Sequence, residues 1–192
     1  FQITNFKLII LGVDPGTLFT GYAVISGVNE KLEMLCCDVI KIPAKNNFPL
    51  RLKQIYDSLV DVIEEYKPDE FAIETAYYGK NVQSTLKLGH ARGVSILAAV
   101  NKQIPTTEYS PREVKKSVSG LGAASKEQVR FMVCRILNID INSLPKQTDI
   151  SDALAVAICH HNKMLGGSVK KSKGSSWEAY VKENPKKVKV QK

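Results

Sequence analysis

With 192 residues, 44% of them hydrophobic, the chain is long enough for one well-buried core, short for two, and too apolar for a disordered protein. Its net charge of +8 points toward polyanions, but from Gly166 to Lys192 there are eight Lys against two Glu, leaving the body with 19 basic and 17 acidic residues. A basic tail is as readily a solvated segment as a nucleic-acid contact, so total charge assigns no partner to the body.

Lys7–Asp14 is rich in Leu and Ile and ends at a Pro-Gly turn, which predicts a buried strand. Its apolar run Leu8–Val13 is far too short to cross a bilayer and lacks a basic flank and cleavage site, so a cytoplasmic protein with no membrane contact is expected. Thr20–Ser26 and Lys31–Ile42 read as the second and third strands, separated by a Gly27–Glu30 turn, giving an antiparallel meander. Over Phe48–Tyr66 the period changes: Leu50, Ile55, Leu59, Val62 and Ile63 recur at helical spacing, with Pro68 beyond the end. Glu70–Thr75 alternates again and predicts a fourth strand.

Lys80–Lys102 predicts a long helix rich in small residues, among them Gly89, Ala91, Gly93 and Ser95. Such a surface lets another helix approach closely, either within the chain or from a second subunit. Ile104–Tyr109 is the expected fifth strand, and Ser110-Pro111 opens a helix with Pro at its first position. Ser125–Leu137 is another helix, with Ser125 as N-cap and Gln128 at the capping-box position; the last core helix spans Asp149–Asn162. The sum is an α/β domain over residues 1–164: a mixed five-stranded sheet, three antiparallel strands then two more, with helices on both faces. Residues 165–192 form a basic tail with a short helix expected near 176–182, where Trp177, Tyr180 and Val181 share a face. Cys36, Cys37, Cys134 and Cys159 have no metal-ligand spacing and read as reduced thiols.

Four carboxylates sit where apolar stretches meet turns or helix starts: Asp14, Glu74, Asp149 and Asp152. Each has a local explanation. Asp-Pro-Gly is a turn signature, Glu74 suits a solvent-facing strand position, and Asp149 as N-cap with Asp152 at the third helical position complements a helix dipole. Yet strand alternation puts Ile10, Gly12 and Asp14 on one face, and Gly16 and Gly21 permit close approach of backbone or ligand. Two carboxylates about 4 Å apart repel by roughly 4 kcal/mol at an effective dielectric near 20. Four that converged would require divalent cations, shared protons, or both.

The segments Gly12-Val13-Asp14-Pro15-Gly16, Thr20-Gly21-Tyr22, Ile73-Glu74-Thr75, Lys80-Asn81, Thr85–Gly93, Pro111–Lys116 and Asp149–Ala155 carry a family resemblance. Together they resemble the RuvC family of bacterial Holliday junction resolvases, in the ribonuclease H-like superfamily, from about Ile9 to His161. The Leu86-Lys87-Leu88-Gly89-His90-Ala91-Arg92-Gly93 run is more specific than any acidic piece. The resemblance implies a ribonuclease H-like fold, a homodimer, and an endonuclease that resolves four-way DNA junctions by paired nicks. It implies Asp14, Glu74, Asp149 and Asp152 as catalytic acids holding two Mg²⁺ ions, with Mn²⁺ as a substitute, and Lys126 as a catalytic cation. It also implies DNA contacts from Tyr77, Tyr78, Lys80, Lys87, Arg92, Arg112, Lys115 and Lys116. Tyr77 stands where the family often has Phe, and Asp152 where some members have His. Branch-migration proteins follow as partners, and the bacterial nucleoid as the place of action. A related ribonuclease H-like nuclease and a non-catalytic nucleic-acid-binding module remain the alternatives.

Overall fold

The computed structural model describes residues 7–28, 31–75, 81–145, 147–165 and 181. Strands β1 (Lys7–Asp14), β2 (Phe19–Val28) and β3 (Lys31–Lys41) form the antiparallel meander, and helix α1 (Phe48–Tyr66) follows. Then come β4 (Glu70–Glu74), α2 (Val82–Asn101), β5 (Thr106–Tyr109), α3 (Pro111–Ser119), α4 (Lys126–Ile136) and α5 (Thr148–Met164). The sheet order is β3-β2-β1-β4-β5, with β4 parallel to β1 and β5 parallel to β4. The mixed sheet with helices on both faces is thus the architecture the sequence predicts, with boundaries shifted by one or two residues.

Alternation in the central strand β1 divides the core. Ile10 packs with Ala23, Ala72, Tyr109 and the apolar faces of α3, α4 and α5. Leu11 and Val13 pack the other way, with Val24, Phe71, Ile73, α1 and α2. Helix α5 is the most enclosed element: Ile150, Ser151 and every residue from Ala153 to His161 are buried. That depth depends on missing side chains beneath it. A Cβ on Gly12 would stand 2.8 Å from the Cβ of Ala157, one on Gly21 would stand 2.9 Å from the Cβ of Asp149, and one on Gly27 would overlap the His161 ring. Three glycines on β1 and β2 therefore form the bed on which α5 lies. Further along α5, the Tyr109 hydroxyl and His160 Nδ1 share a hydrogen bond of 2.8 Å. The bond ties the helix to the edge strand β5.

The local signals at helix starts are borne out. Ser110 and Ser125 each make a full capping box, with Glu113 and Gln128 respectively, and Pro111 and Pro49 sit in first turns. One start differs from expectation: α5 begins at Thr148 with Gln147 as its N-cap, so Asp149 is inside the first turn rather than capping it. Tail residues 166–180 and 182–192, with the helix expected near 176–182, lie outside the described residues except for Val181.

Candidate active site

Asp14 ends β1, and its strand neighbours set the site. On one side it pairs with Gly21 of β2; on the other, Val13 pairs with Ile73, so Glu74 at the end of β4 lies alongside Asp14 on the same face. Open α/β sheets bind ligands beyond the carboxyl ends of such parallel strands. Gly21 admits the first turn of α5, which brings Asp149 over the sheet and Asp152 to the next turn of the same helical face. The turn after Asp14 is fixed from within: the buried Thr20 hydroxyl donates to the Gly16 carbonyl at 2.7 Å and accepts from the Gly16 amide at 3.3 Å. Thr20 is part of the resembling segments, but only the fold exposes this fastening role.

The electrostatics register the convergence. Burial first, and then the charges of Glu74, Asp152 and Asp149, push the Asp14 carboxyl from its ordinary 3.8 up to about 8, against an opposing pull from Lys126. Glu74 rises to about 7, by burial and the charge of Asp152, with Lys126 and Lys115 pulling down. A water-facing carboxylate would titrate near 4, so the pocket holds more negative charge than it stabilises. Lys126 at the start of α4 is the nearest internal relief. Its Nζ donates to Asp152 Oδ2 at 2.7 Å while its side chain stays 57% exposed. Burial works against its ammonium, but the bond to Asp152 and the charges of Asp14 and Asp149 raise its pKa overall.

All four side chains offer oxygen donors only, a set suited to hard divalent cations such as Mg²⁺ or Mn²⁺. Among the described residues no three of His, Cys, Asp or Glu already stand together as a finished metal shell. With Asp152 turned to Lys126, the acids share a pocket and a charge excess rather than a preformed cage. The residues fit a divalent cation by donor chemistry and by unrelieved charge.

The cations named from sequence fall at different distances from this pocket. Lys115, half-buried on α3, is close enough to Glu74 for its charge to lower that carboxyl. Lys87, Arg112 and Lys116 are exposed, with Arg112 lying across Gly122. Arg92 is paired with Glu108 of β5 at 2.6 Å, a partner that no local pattern announces. Tyr77, Tyr78 and Lys80 lie outside the described residues.

Beside Thr75 a groove of about 740 Å³ opens along α2, lined among others by Leu86, Gly89, Arg92, Gly93 and Leu97. No helix of the described residues is long and apolar enough to cross a membrane.

Residues 10–160 match the family described as crossover junction endodeoxyribonuclease RuvC. The chain is 48% identical over 182 residues to the RuvC of Cytophaga hutchinsonii, covering 95% of this chain and 88% of that one. It is also 48% identical over 183 residues to that of Chloroherpeton thalassium, covering 93% and 97% respectively. Among solved structures, Thermus thermophilus RuvC in complex with a Holliday junction substrate superposes with a TM-score of 0.78 at 28% identity, covering 83% of this chain and 96% of that one. The sheet order and the helices on both faces are thus those of a ribonuclease H-like nuclease, and the chain belongs to the RuvC family of crossover junction endodeoxyribonucleases.

Proposed function

We propose that this crossover junction endodeoxyribonuclease cuts four-way DNA with Asp14, Glu74, Asp149 and Asp152 as its catalytic acids, and that these hold two Mg²⁺ ions, replaceable by Mn²⁺. The observation that carries the reading is the Asp14 carboxyl. It sits at the end of the central strand and is driven to about 8 by burial and by three acids from two other elements. A structural turn aspartate has no reason to collect such neighbours. Divalent cations bound there would offset that charge and supply Lewis acidity toward water and phosphate.

The hydrolysis adds a water oxygen to phosphorus and breaks the bond to the 3′ oxygen, which takes up a proton. A 5′-phosphate and a 3′-hydroxyl remain. Lys126, bonded to Asp152 yet open to solvent, is placed to meet negative charge growing on the phosphate. Lys115 does the same from the Glu74 side. Lys80, Lys87, Arg92, Arg112 and Lys116 serve the backbone phosphates farther out, which makes affinity salt-dependent and largely sequence-blind. Tyr77 and Tyr78 follow Glu74 in the chain and would stack on bases unpaired at the crossover.

A four-way junction is near two-fold symmetric, and two matched nicks call for two equivalent sites. A C2 homodimer supplies them. The proposed contact is α2, where the exposed Val82, Leu86, Leu97 and Val100 follow the same helical stripe as Gly89 and Gly93. Branch-migration proteins, and action in the cytoplasm at the nucleoid, extend the proposal on family grounds alone.

Cleavage of a synthetic four-way junction in Mg²⁺ tests the reading. Asp14→Asn should bind the junction but cut it more than roughly 100-fold slower, since losing even a group that only supports a metal ligand costs 10–100-fold. Wild-type cutting by Asp14→Asn would refute the assignment of the acids.

A further inference from the structure

Asp14 and Glu74 are fixed by a sheet, but Asp149 and Asp152 hang on a helix whose start carries no side-chain cap. Gln147 makes no cap bond to α5. Among the described residues the other four helices are each capped, by Asn47, Asn81, Ser110 and Ser125. Something else must hold the helix that delivers half of the acids, because free amides at a helix start otherwise fray into water.

Ahead of α5, the chain from Asp140 makes a hydrogen-bonded turn. Asp140 Oδ1 accepts from the Asn142 amide at 2.9 Å, and the Asp140 carbonyl accepts from the Ser143 hydroxyl at 2.7 Å. Leu144 is then buried in the core on the α5 side. Three carbonyls of this segment converge on one side chain. Arg130 donates from Nη1 to the Pro145 carbonyl at 2.6 Å, and from Nη2 to the carbonyls of Ile141, at 3.1 Å, and Leu144. Arg130 lies one turn after Lys126 on the same face of α4. That face therefore grips the start of α5 twice, through Lys126 on the Asp152 carboxylate and through Arg130 on the incoming backbone. A planar fork with several fixed donors can hold three carbonyls at once, which a lysine ammonium on a flexible stem does less well.

We propose that Arg130 is a positioning residue for strand cleavage. By pinning Ile141–Pro145 to α4 it sets where Asp149 and Asp152 stand relative to Asp14, and keeps Lys126 in register with Asp152. The inference rests on Asp149 and Asp152 being catalytic acids. A shift of about 1 Å in a catalytic group is enough to slow a reaction on the order of 100-fold.

The test uses the full chain with Arg130→Met and Arg130→Lys, beside Asp149→Asn and Asp152→Asn. Four quantities are measured: junction affinity without divalent cation, single-turnover cleavage in Mg²⁺ with all junction bound, thermal midpoint, and amide hydrogen exchange of the metal-free, DNA-free protein. Arg130→Met should keep junction affinity, cut the bound junction roughly 10- to 100-fold slower, and exchange faster across Ile141–Asp152. Arg130→Lys should recover part of both the rate and the protection. Unchanged cleavage by a folded Arg130→Met protein overturns the proposal. So does a slower rate that merely follows global loss of stability, with exchange rising evenly over the molecule. If Arg130→Met does not fold, a folded Arg130→Lys with wild-type rate and protection overturns it equally. Wild-type cutting by both Asp149→Asn and Asp152→Asn would instead bring down the assignment of the acids on which the inference stands.

Discussion

Helices α2 and α5 are both rich in small residues, but α5 rests on glycines of the sheet whereas the glycines of α2 face outward. Beneath α5, Gly12, Gly21 and Gly27 leave room that the helix fills, and a Cβ on any of them would meet α5 backbone or side chain. On α2 the inner face is Ala91, Ser95, Ala98 and Ala99, while a Cβ on Gly89 or Gly93 would meet nothing within 4 Å. Small residues permit close approach in both places. In α5 the approaching body is the protein's own sheet, and the result is the delivery of two acids toward Asp14. In α2 the proposed approaching body is a second copy of the chain.

The largest effect expected from breaking this contrast is at Gly21. In Gly21→Ala the new Cβ would press on the backbone and Cβ of Asp149, where no flexible side-chain end can yield. Overpacking of this kind destabilises by about 1–3 kcal/mol. The displacement falls on the helix turn that carries an acid, so junction cleavage should drop by on the order of 100-fold or more. Thermal unfolding and single-turnover cutting measure the two parts. A Gly21→Ala protein with wild-type values in both would mean that α5 does not lie where the pocket requires.

A second difference between the regions is electrostatic, and its sign can be stated. Asp14 and Glu74 hold protons up to about 8 and about 7 in the folded protein, burial being the main cause in both. In the unfolded chain both ionise near pH 4. Through the window between, the folded state binds more protons, so metal-free stability falls as pH rises from about 4 to about 8. His160 acts in the opposite sense at the acid end. Its burial, with Lys163 and His161 nearby, lowers it from 6.5 to about 4, so stability is lost as pH falls through that range. The cleanest measurement therefore lies above about pH 6.5. There the thermal midpoint should decline toward pH 8, and saturating Mg²⁺ should raise it more at pH 8 than at pH 6.5, because cations and protons compete for the same oxygens. The linked free energy is on the order of a few kcal/mol, since each tenfold change in proton affinity is worth about 1.4 kcal/mol. A midpoint indifferent to Mg²⁺ at pH 8 would argue against cation binding by these acids.

The sequence carries some of this directly. Ser110-Pro111 and Ser125 with Gln128 announce their helices because capping is a local reaction between neighbours. The face of Asp14 is readable from alternation within β1, a property of eight consecutive residues. That Glu74 shares this face is not, since it depends on Val13 pairing with Ile73, a register that neither strand specifies alone. The start of α5 escapes the sequence for a related reason. Asp149 is a good capping residue and reads as one, but the helix starts earlier, on an uncapped Gln147. Tertiary contacts from Gly21 and Arg130 hold the start instead. Arg130 carries no motif, and its partners are backbone carbonyls 11 to 15 residues away whose identity leaves no trace in the sequence. Likewise Arg92, named through the family as a DNA contact, has an acidic partner in Glu108 that only the fold brings near.

The smallest expected effect is the most discriminating between the two helices, because one kind of substitution should have opposite signs in them. Glycine inside a helix costs about 1 kcal/mol relative to alanine, and at Gly89 the added methyl has open space around it. In a monomeric background, which Leu97→Glu on the same exposed stripe should provide, Gly89→Ala should raise the thermal midpoint by about 2–4 °C. In the wild-type background the same methyl would stand where a second copy of α2 is proposed to approach, so sedimentation at micromolar concentration should register weaker self-association. A fall in the midpoint of the monomer would mean that Gly89 is already in contact within its own chain. Unchanged self-association in Leu97→Glu would remove α2 as the subunit contact and leave its outward glycines without the neighbour that the comparison with α5 demands.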